Sequence, residues 1–328
     1  MRTGFGQFNE PNDEFLIFAK QFGATDILLN TPSLPTNNGI WELRDLVKLR
    51  LKIESHGLSL SALENVPTSF YDHIMLNGTR RDQQIENMII TVKNIARAGI
   101  KILGYNWMPS HVWRTKPKII RGGASATAFN YEQAKNFPNT HDREYEEEEI
   151  WENLEYWLKI IMPVAEEEKI KLGIHPCDPP VEKLGGIPNI FRSYDNYRRY
   201  LDIYPSDYCG IEFCQGTIAE MFDSKGENIY KFIEEMLIRK KIFYVHFRNV
   251  SAPNPESFHE EFINTGHVDM YRAMKTYYQN DYDSFFIDDH VPSTFQDTDW
   301  GHRGRAFANG YIQAMIEAVK KEGKYETY

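Results

Sequence analysis

One unit recurs along this chain: an amphipathic helical stripe, a glycine or polar break, and then a short apolar run of strand length. Ile85, Met88, Ile89, Val92 and Ile95 follow helical spacing, Gly99 supplies a stop, and residues 100–105 read as a buried strand. The same unit joins Leu43, Leu46, Val47 and Ile53, through Gly57, to a strand over 58–63. Ile150, Leu154, Trp157, Leu158 and Ile161 precede a strand over 170–174, with Pro163 expected to kink or shorten the helix. Two more cycles pair Ile229, Phe232, Ile233 and Met236 with a strand over 242–247, and Met270, Ala273, Met274 and Tyr277 with one over 284–288. Runs over 4–8, 26–29 and 210–213 bring the count to eight strands. Strands that are apolar on both faces and alternate with helices belong to a parallel α/β sheet. Eight of them in 328 residues predict one closed (β/α)8 TIM barrel spanning 1–328. No glycine-rich dinucleotide or phosphate loop follows any strand, which argues against an open doubly wound sheet. Residues 106–145 lack a period and carry Pro, Gly, Arg and aromatics, so they read as a long βα insertion, a lid over the C-terminal face.

Composition narrows the class of function. A charged fraction of 26% and an apolar fraction of 41% are those of an ordinary globular chain. A formal net charge of −10 argues against nucleic acid or an anionic membrane as partner. With no apolar run of membrane-spanning length and an N-terminus that turns polar at once, a cytoplasmic protein is expected. Three cysteines, Cys177, Cys209 and Cys214, suit a reducing compartment and no disulfide framework.

Chemistry concentrates where the predicted strands end. His175, Cys214, His246 and Asp289 each stand at or just past the C-terminal end of a different strand, the face on which barrels assemble active sites. Two imidazoles, a thiolate and a carboxylate make a first shell for a divalent transition metal, and the thiolate argues against magnesium or calcium. Each residue alone has a plainer explanation, such as a buried Cys serving as a small core residue; the convergence of four carries the reading. His246 and Arg248 share one side of their strand, and Asn249 follows.

At these segments the chain resembles the mannonate dehydratase family, metal-dependent barrels related in architecture to xylose isomerase-like enzymes. The resemblance runs over nearly the whole chain. It is carried by Leu63-Glu64-Asn65-Val66-Pro67, by Arg97-Ala98-Gly99-Ile100-Lys101 leading to Tyr105-Asn106-Trp107-Met108-Pro109, by His175-Pro176-Cys177-Asp178-Pro179-Pro180, and by Val268-Asp269-Met270-Tyr271. The resemblance places the metal ligands on His175, Cys214, His246 and Asp289. It implies a hydro-lyase that dehydrates D-mannonate to 2-keto-3-deoxy-D-gluconate with Mn2+ foremost, and Fe2+ or Zn2+ as the other ions the shell admits. This chain departs from the family pattern in several places. Where the family has Arg-Pro-Asp-His-Gly it has Ile287-Asp288-Asp289-His290-Val291, and Trp300 stands in the region where a catalytic tyrosine is expected. Val112 precedes Trp113 in place of Asp, and Cys177 also replaces an Asp.

The reaction needs a base beside the carboxylate, an acid for the departing hydroxyl and a cation. His290 is the candidate acid/base, with His302 and Tyr105 as substitutes; a plainer role for His290 is to orient Asp289. Trp107, His111, Arg114, Arg248 and Asn249 are candidate substrate contacts, although Arg248 can equally pair with an acid such as Glu260. The partner expected is a small-molecule sugar acid or related carbohydrate, and homo-oligomers are compatible with the sequence. Two other readings stay open: a xylose isomerase-like sugar isomerase or epimerase, against which Cys214 counts, and a metal-binding barrel without turnover, which the loss of the Arg and Tyr favours.

Overall fold

The computed structural model describes residues 1–221 and 228–325. Eight parallel strands close into a barrel. They are β1 (Arg2–Phe5), β2 (Asp26–Asn30), β3 (Ser59–Glu64), β4 (Ile102–Tyr105), β5 (Lys171–Ile174), β6 (Cys209–Cys214), β7 (Ile242–His246) and β8 (Phe285–Ile287). Each pairs with its sequence neighbours, and β1 closes on β8 through Arg2 opposite Phe285. The eight expected strands are all present, displaced by one to three residues at their ends. The outer ring is α1 (Asp13–Gln21), α2 (Leu43–Glu54), α3 (Arg81–Arg97), α4 (Glu147–Glu168), α5 (Tyr194–Ile203), α6 (Ile229–Ile238), α7 (Met270–Gln279) and α8 (His302–Tyr325). Gly57 and Gly99 follow α2 and α3 with φ of 68° and 90°, the left-handed geometry that terminates a helix at little cost for glycine.

The expected break at Pro163 does not occur: α4 runs through it for 22 residues. Proline removes one backbone hydrogen bond, but Pro163 and Lys159, whose carbonyl loses that donor, both lie on the exposed face where water can replace it. Leu158, Ile161, Met162 and Ala165 hold the other face in the core.

The two-residue period of the strands sorts side chains between two apolar clusters. Ile27, Leu29, Leu63, Leu103, Ile174, Phe213, Val245 and Phe286 face the helices in the large outer cluster. Leu28, Ala62, Ile102, Tyr244, Phe285 and Ile287 form a separate one, which fills the barrel lumen. Glycines supply the room. A Cβ on Gly104 of β4 would stand 2.0 Å from the Tyr244 hydroxyl and 2.3 Å from Glu212 Oε2, so this close approach across the lumen admits no side chain.

The insertion between β4 and α4 is stitched to two other mouth loops. Its segment Ala128–Asn130 pairs antiparallel with Ser257–His259 of the β7–α7 connection, and Ser125 bridges to Ser293 of the β8–α8 connection. Phe129, Ala134, Val181, Leu184 and Phe258 give it a small core of its own. Among the described residues no helix is long and apolar enough to cross a membrane.

Gly104→Ala is expected to destabilise the fold by about 1–3 kcal/mol, because the added methyl must displace buried groups on β6 and β7. Chemical denaturation midpoints of the two proteins check this, and an unchanged midpoint contradicts the packing described.

Candidate metal centre

The same alternation that fills the lumen carries polar residues at its upper end. Gly173, Glu212, Tyr244 and Ile287 point inward, so His175, Cys214, His246 and Asp289, each two residues further on, continue the inward rows. Cys214 and His246 are register partners on adjacent strands, and His246 is opposite Ile287 on β8. Beyond β8 the chain turns with Asp289 at φ 57°, a left-handed conformation that Asp tolerates better than most residues. Strained backbone of this kind is found where a side chain must be aimed.

The four groups converge. Donor atoms of His175, Cys214 and His246 all lie within 4.8 Å of one another. Asp289 Oδ2 is 3.4 Å from His246 Nδ1 and 3.8 Å from Cys214 Sγ. Ligands that share one transition metal at bond lengths near 2.0–2.3 Å are separated by roughly 3–4 Å, so these spacings suit a common ion. The ring nitrogens can be assigned from their surroundings. His175 Nδ1 lies 2.7 Å from the Pro176 carbonyl and donates to it, which leaves Nε2 for the centre. His246 Nδ1 is buried on the Cys214 side of its ring and makes no hydrogen bond, an orphan that a metal would satisfy. The donor set and this orphaned nitrogen both fit a resident transition metal.

Electrostatics point the same way. Burial opposes ionisation of the Cys214 thiol, but the Arg248 charge and the His175 and His246 imidazoles beside it prevail and bring its pKa down to about 5. Asp289 is likewise held well below the usual carboxylate range, against burial, by His246, His290 and Arg248. Burial alone would favour neutral His175; Glu212 and Cys214 reverse this and raise it to about 9. His246 is raised as well, against burial, by Asp289 and Glu64.

Below the centre lie two acids that the sequence reading did not single out. Glu64, the last residue of β3, places Oε2 2.8 Å from His246 Nε2, and Glu212 Oε1 is 3.3 Å from the same nitrogen. Glu212 is fully buried with neither carboxylate oxygen hydrogen-bonded, and burial beside Glu64 pushes its pKa well up. Both were findable: Glu212 shares the face of Cys214 by the period of two, and Glu64 is a charge at a strand end.

Other candidates fall elsewhere. His290 stands beside the centre with Nε2 3.6 Å from Asp289 Oδ1 and 45% of its side chain open to solvent. Asp289 favours its imidazolium, but the protein packed around this half-open ring and the Arg248 and Arg114 charges outweigh that and lower its pKa to about 4. Arg248 is not free for substrate: it is 1% exposed and contacts Asp289 at 3.0 Å, Glu260 at 3.1 Å, Asp178 at 3.3 Å and Glu220 at 3.5 Å. The pairing with Glu260 is the alternative that the sequence left open. Arg114 makes a bidentate pair with Asp178 at 2.8 and 2.6 Å. Asn249 uses its amide on the backbone of Val250, Ile263 and Val268, so it shapes the loop and does not face a ligand. Trp107 is a core residue, 1% exposed. Tyr105 points out of the barrel, where its hydroxyl meets that of Tyr200 on α5 at 3.3 Å, because the inward position is taken by Gly104. His302 stacks on Phe15 and bonds Thr298, behind β1. His111 is exposed in the insertion with φ 63°. The structure therefore joins His290 alone, of the three acid/base candidates, to the four metal donors.

A family model described as D-mannonate dehydratase (UxuA) matches residues 1–145 and 139–326. The chain belongs to the mannonate dehydratase family. Mannonate dehydratase of Streptococcus pneumoniae (strain 70585) is 29% identical over 315 residues, 87% of this chain and 82% of that protein. That of Thermotoga petrophila is 27% identical over 323 residues, 87% and 88% of the two chains. The crystal structure of mannonate dehydratase from Streptococcus suis serotype 2 superposes with a TM-score of 0.86 at 28% identity, covering 99% of this chain and 95% of that one. An L-ribulose 3-epimerase superposes with a TM-score of 0.61 at 13% identity over 100% and 98% of the chains, a likeness of barrel fold.

In metal-free protein the ultraviolet thiolate absorbance of Cys214 is expected to persist below pH 7 and to fade as pH drops through about 5. Its stabilising contribution is complete above the ordinary thiol value of 9.0 and is lost as pH falls toward 5. Cys177 and Cys209, pushed up by burial to about 12 and 11, add nothing in this range. A titration in which Cys214→Ser leaves the signal unchanged contradicts the assignment.

Proposed function

We propose that the chain dehydrates a sugar acid of the D-mannonate type, as a metal-dependent hydro-lyase whose ion is held by His175, Cys214, His246 and Asp289. The observation that carries this reading is the orphaned, buried Nδ1 of His246 facing a low-pKa thiol and a carboxylate from two other strands. The thiolate favours manganese, iron(II) or zinc over magnesium, and manganese is the ion proposed. Bound there, the ion supplies a fixed positive charge against the substrate carboxylate and the negative charge that develops as the neighbouring proton leaves.

The protein's own part falls to His290. Adjacent to Asp289 yet open to solvent, it can reach a substrate seated on the centre. It takes the proton from the carbon beside the carboxylate, or delivers one to the hydroxyl departing from the next carbon. Loss of that proton and hydroxyl as water leaves an enol that tautomerises to the 2-keto-3-deoxy acid. Arg114 and Arg248 keep Asp178 and Asp289 ionised and placed. The insertion over 106–145, stitched to the β7–α7 and β8–α8 loops across the mouth, would close the site from water.

Purified protein incubated with D-mannonate and related sugar acids is expected to yield a product lighter by one water, read by mass spectrometry. An isomer of unchanged mass indicates an isomerase or epimerase instead, and ligand-induced thermal stabilisation without any product indicates a binding protein. Cys214→Ala and His246→Ala are expected to empty the metal site. His290→Ala should retain metal while kcat falls by about 10²–10⁴. Full metal content in both ligand variants refutes the shell.

A further inference from the structure

The acids beneath the metal donors carry an inference that rests on the shell proposed above. We propose that Glu64 is a positioning residue: fastened by Gln7 and Asn30, it accepts the Nε2 hydrogen of His246 and so commits that ring to present Nδ1 to Cys214 and Asp289.

A neutral imidazole has one hydrogen, and the nitrogen that keeps it cannot bind a metal, so the bond made by one nitrogen decides the role of the other. His246 Nε2 is 2.8 Å from Glu64 Oε2, while Nδ1 has no hydrogen-bond partner. Glu64 is itself restrained. Its Oε1 accepts from Gln7 Nε2 at 3.0 Å and from Asn30 Nδ2 at 3.3 Å, and Asn30 Nδ2 also reaches Gln7 Oε1 at 2.7 Å. Thr31 Oγ1 donates to Asn30 Oδ1 at 3.0 Å, which fixes which way that amide faces. The ends of β1, β2 and β3 thus cooperate to hold a ring on β7, on the far side of the lumen. Gln7 adopts φ 62° and Thr31 φ 45°, left-handed conformations that strain a non-glycine residue and persist where the surrounding structure fixes them.

Glu212 does not compete on equal terms. It is further from Nε2, at 3.3 Å, and only the Tyr244 hydroxyl lies beside its carboxylate, whereas Gln7 and Asn30 both donate to Glu64. Glu64, Glu212 and His246 also bring three donor atoms within 4.8 Å of one another, the spacing of a second cation site. Two amide NH2 groups converging on Glu64 Oε1 favour the hydrogen-bonded arrangement over that ion.

The test uses the full chain and Mn2+ and Co2+ alone as probes. Manganese affinity is measured by competition with a chromophoric chelator for wild type, Glu64→Gln, Gln7→Met and Glu212→Gln, and the cobalt-substituted proteins are compared by absorption. Glu64→Gln keeps the side-chain volume and is expected to weaken Mn2+ binding about 10–100-fold. It should also shift the cobalt ligand-field bands while the thiolate-to-cobalt band from Cys214 survives. Gln7→Met should act in the same direction with a smaller effect, and Glu212→Gln should change affinity by less than about threefold. An unchanged affinity and cobalt spectrum in Glu64→Gln overturns the proposal, as does a larger loss in Glu212→Gln or a wild-type content of two ions per chain. Failure of the shell itself is distinguishable, because Cys214→Ala would then keep its metal.

Discussion

Buried charge at the upper end of the lumen is the constraint that organises this protein. Cys214, Asp289, Asp178, Glu220 and Glu260 are all nearly or fully withdrawn from water; Arg114 pairs with Asp178, and Arg248 is the cation at their centre. An ion in such a place costs several kcal/mol unless opposite charge and hydrogen bonds surround it. One guanidinium with contacts to four carboxylates cannot neutralise all of them, and the shortfall is visible. Burial raises Glu220 well above its ordinary value and brings Glu260 to about 8, despite Arg248. The carboxylate closest to Arg248, Asp289, stays ionised beside the Cys214 thiolate. Negative charge is thereby concentrated at the point where two imidazoles meet, the place where the proposed divalent cation would balance it. The same accounting explains why Arg248, so suggestive of a substrate contact in sequence, is engaged by the protein's own acids.

What the sequence disclosed and what it hid both follow from the period of two. Strand ends were legible because His175, Cys214, His246 and Asp289 interrupt apolar runs with metal-binding chemistry. Glu212 was legible only through parity: a single acid inside an apolar strand matches no motif, but it lies two residues from Cys214 on the same face. Tyr105 went the other way: its hydroxyl drew notice, but Gly104 holds the inward position and Tyr105 must face α5. Parity is local and readable. Partners such as Glu220 and Glu260 arrive from connections whose paths no periodicity encodes, so the roles of Arg248 and Asn249 could only be seen in three dimensions. His302 and Trp300 both belong to an aromatic cluster with Phe15 and Phe18 behind β1, away from the centre.

The departures from the family pattern have physical counterparts. Ile287, where Arg is typical, completes the apolar lumen against Leu28 and the Cα of Gly6. A guanidinium is supplied instead from α8: Arg305 donates to Asp288 Oδ1 at 2.7 Å and to the Asp289 carbonyl at 3.0 Å, so the turn that aims Asp289 is braced from outside the barrel. Trp300, in place of the expected tyrosine, donates to the Gly6 carbonyl at 3.2 Å and anchors the end of β1, the strand that leads to Gln7.

These substitutions bear on how a sugar acid is held. Arg114 answers Asp178, Arg248 answers four acids and Arg305 answers Asp288, so each of these guanidinium groups is spent on the protein itself. On the proposed shell of His175, Cys214, His246 and Asp289, a carboxylate entering the mouth would therefore meet its positive charge at the ion. Recognition and chemistry would then fall on one centre, and the aim of His246, set by its hydrogen bond to Glu64, would govern both.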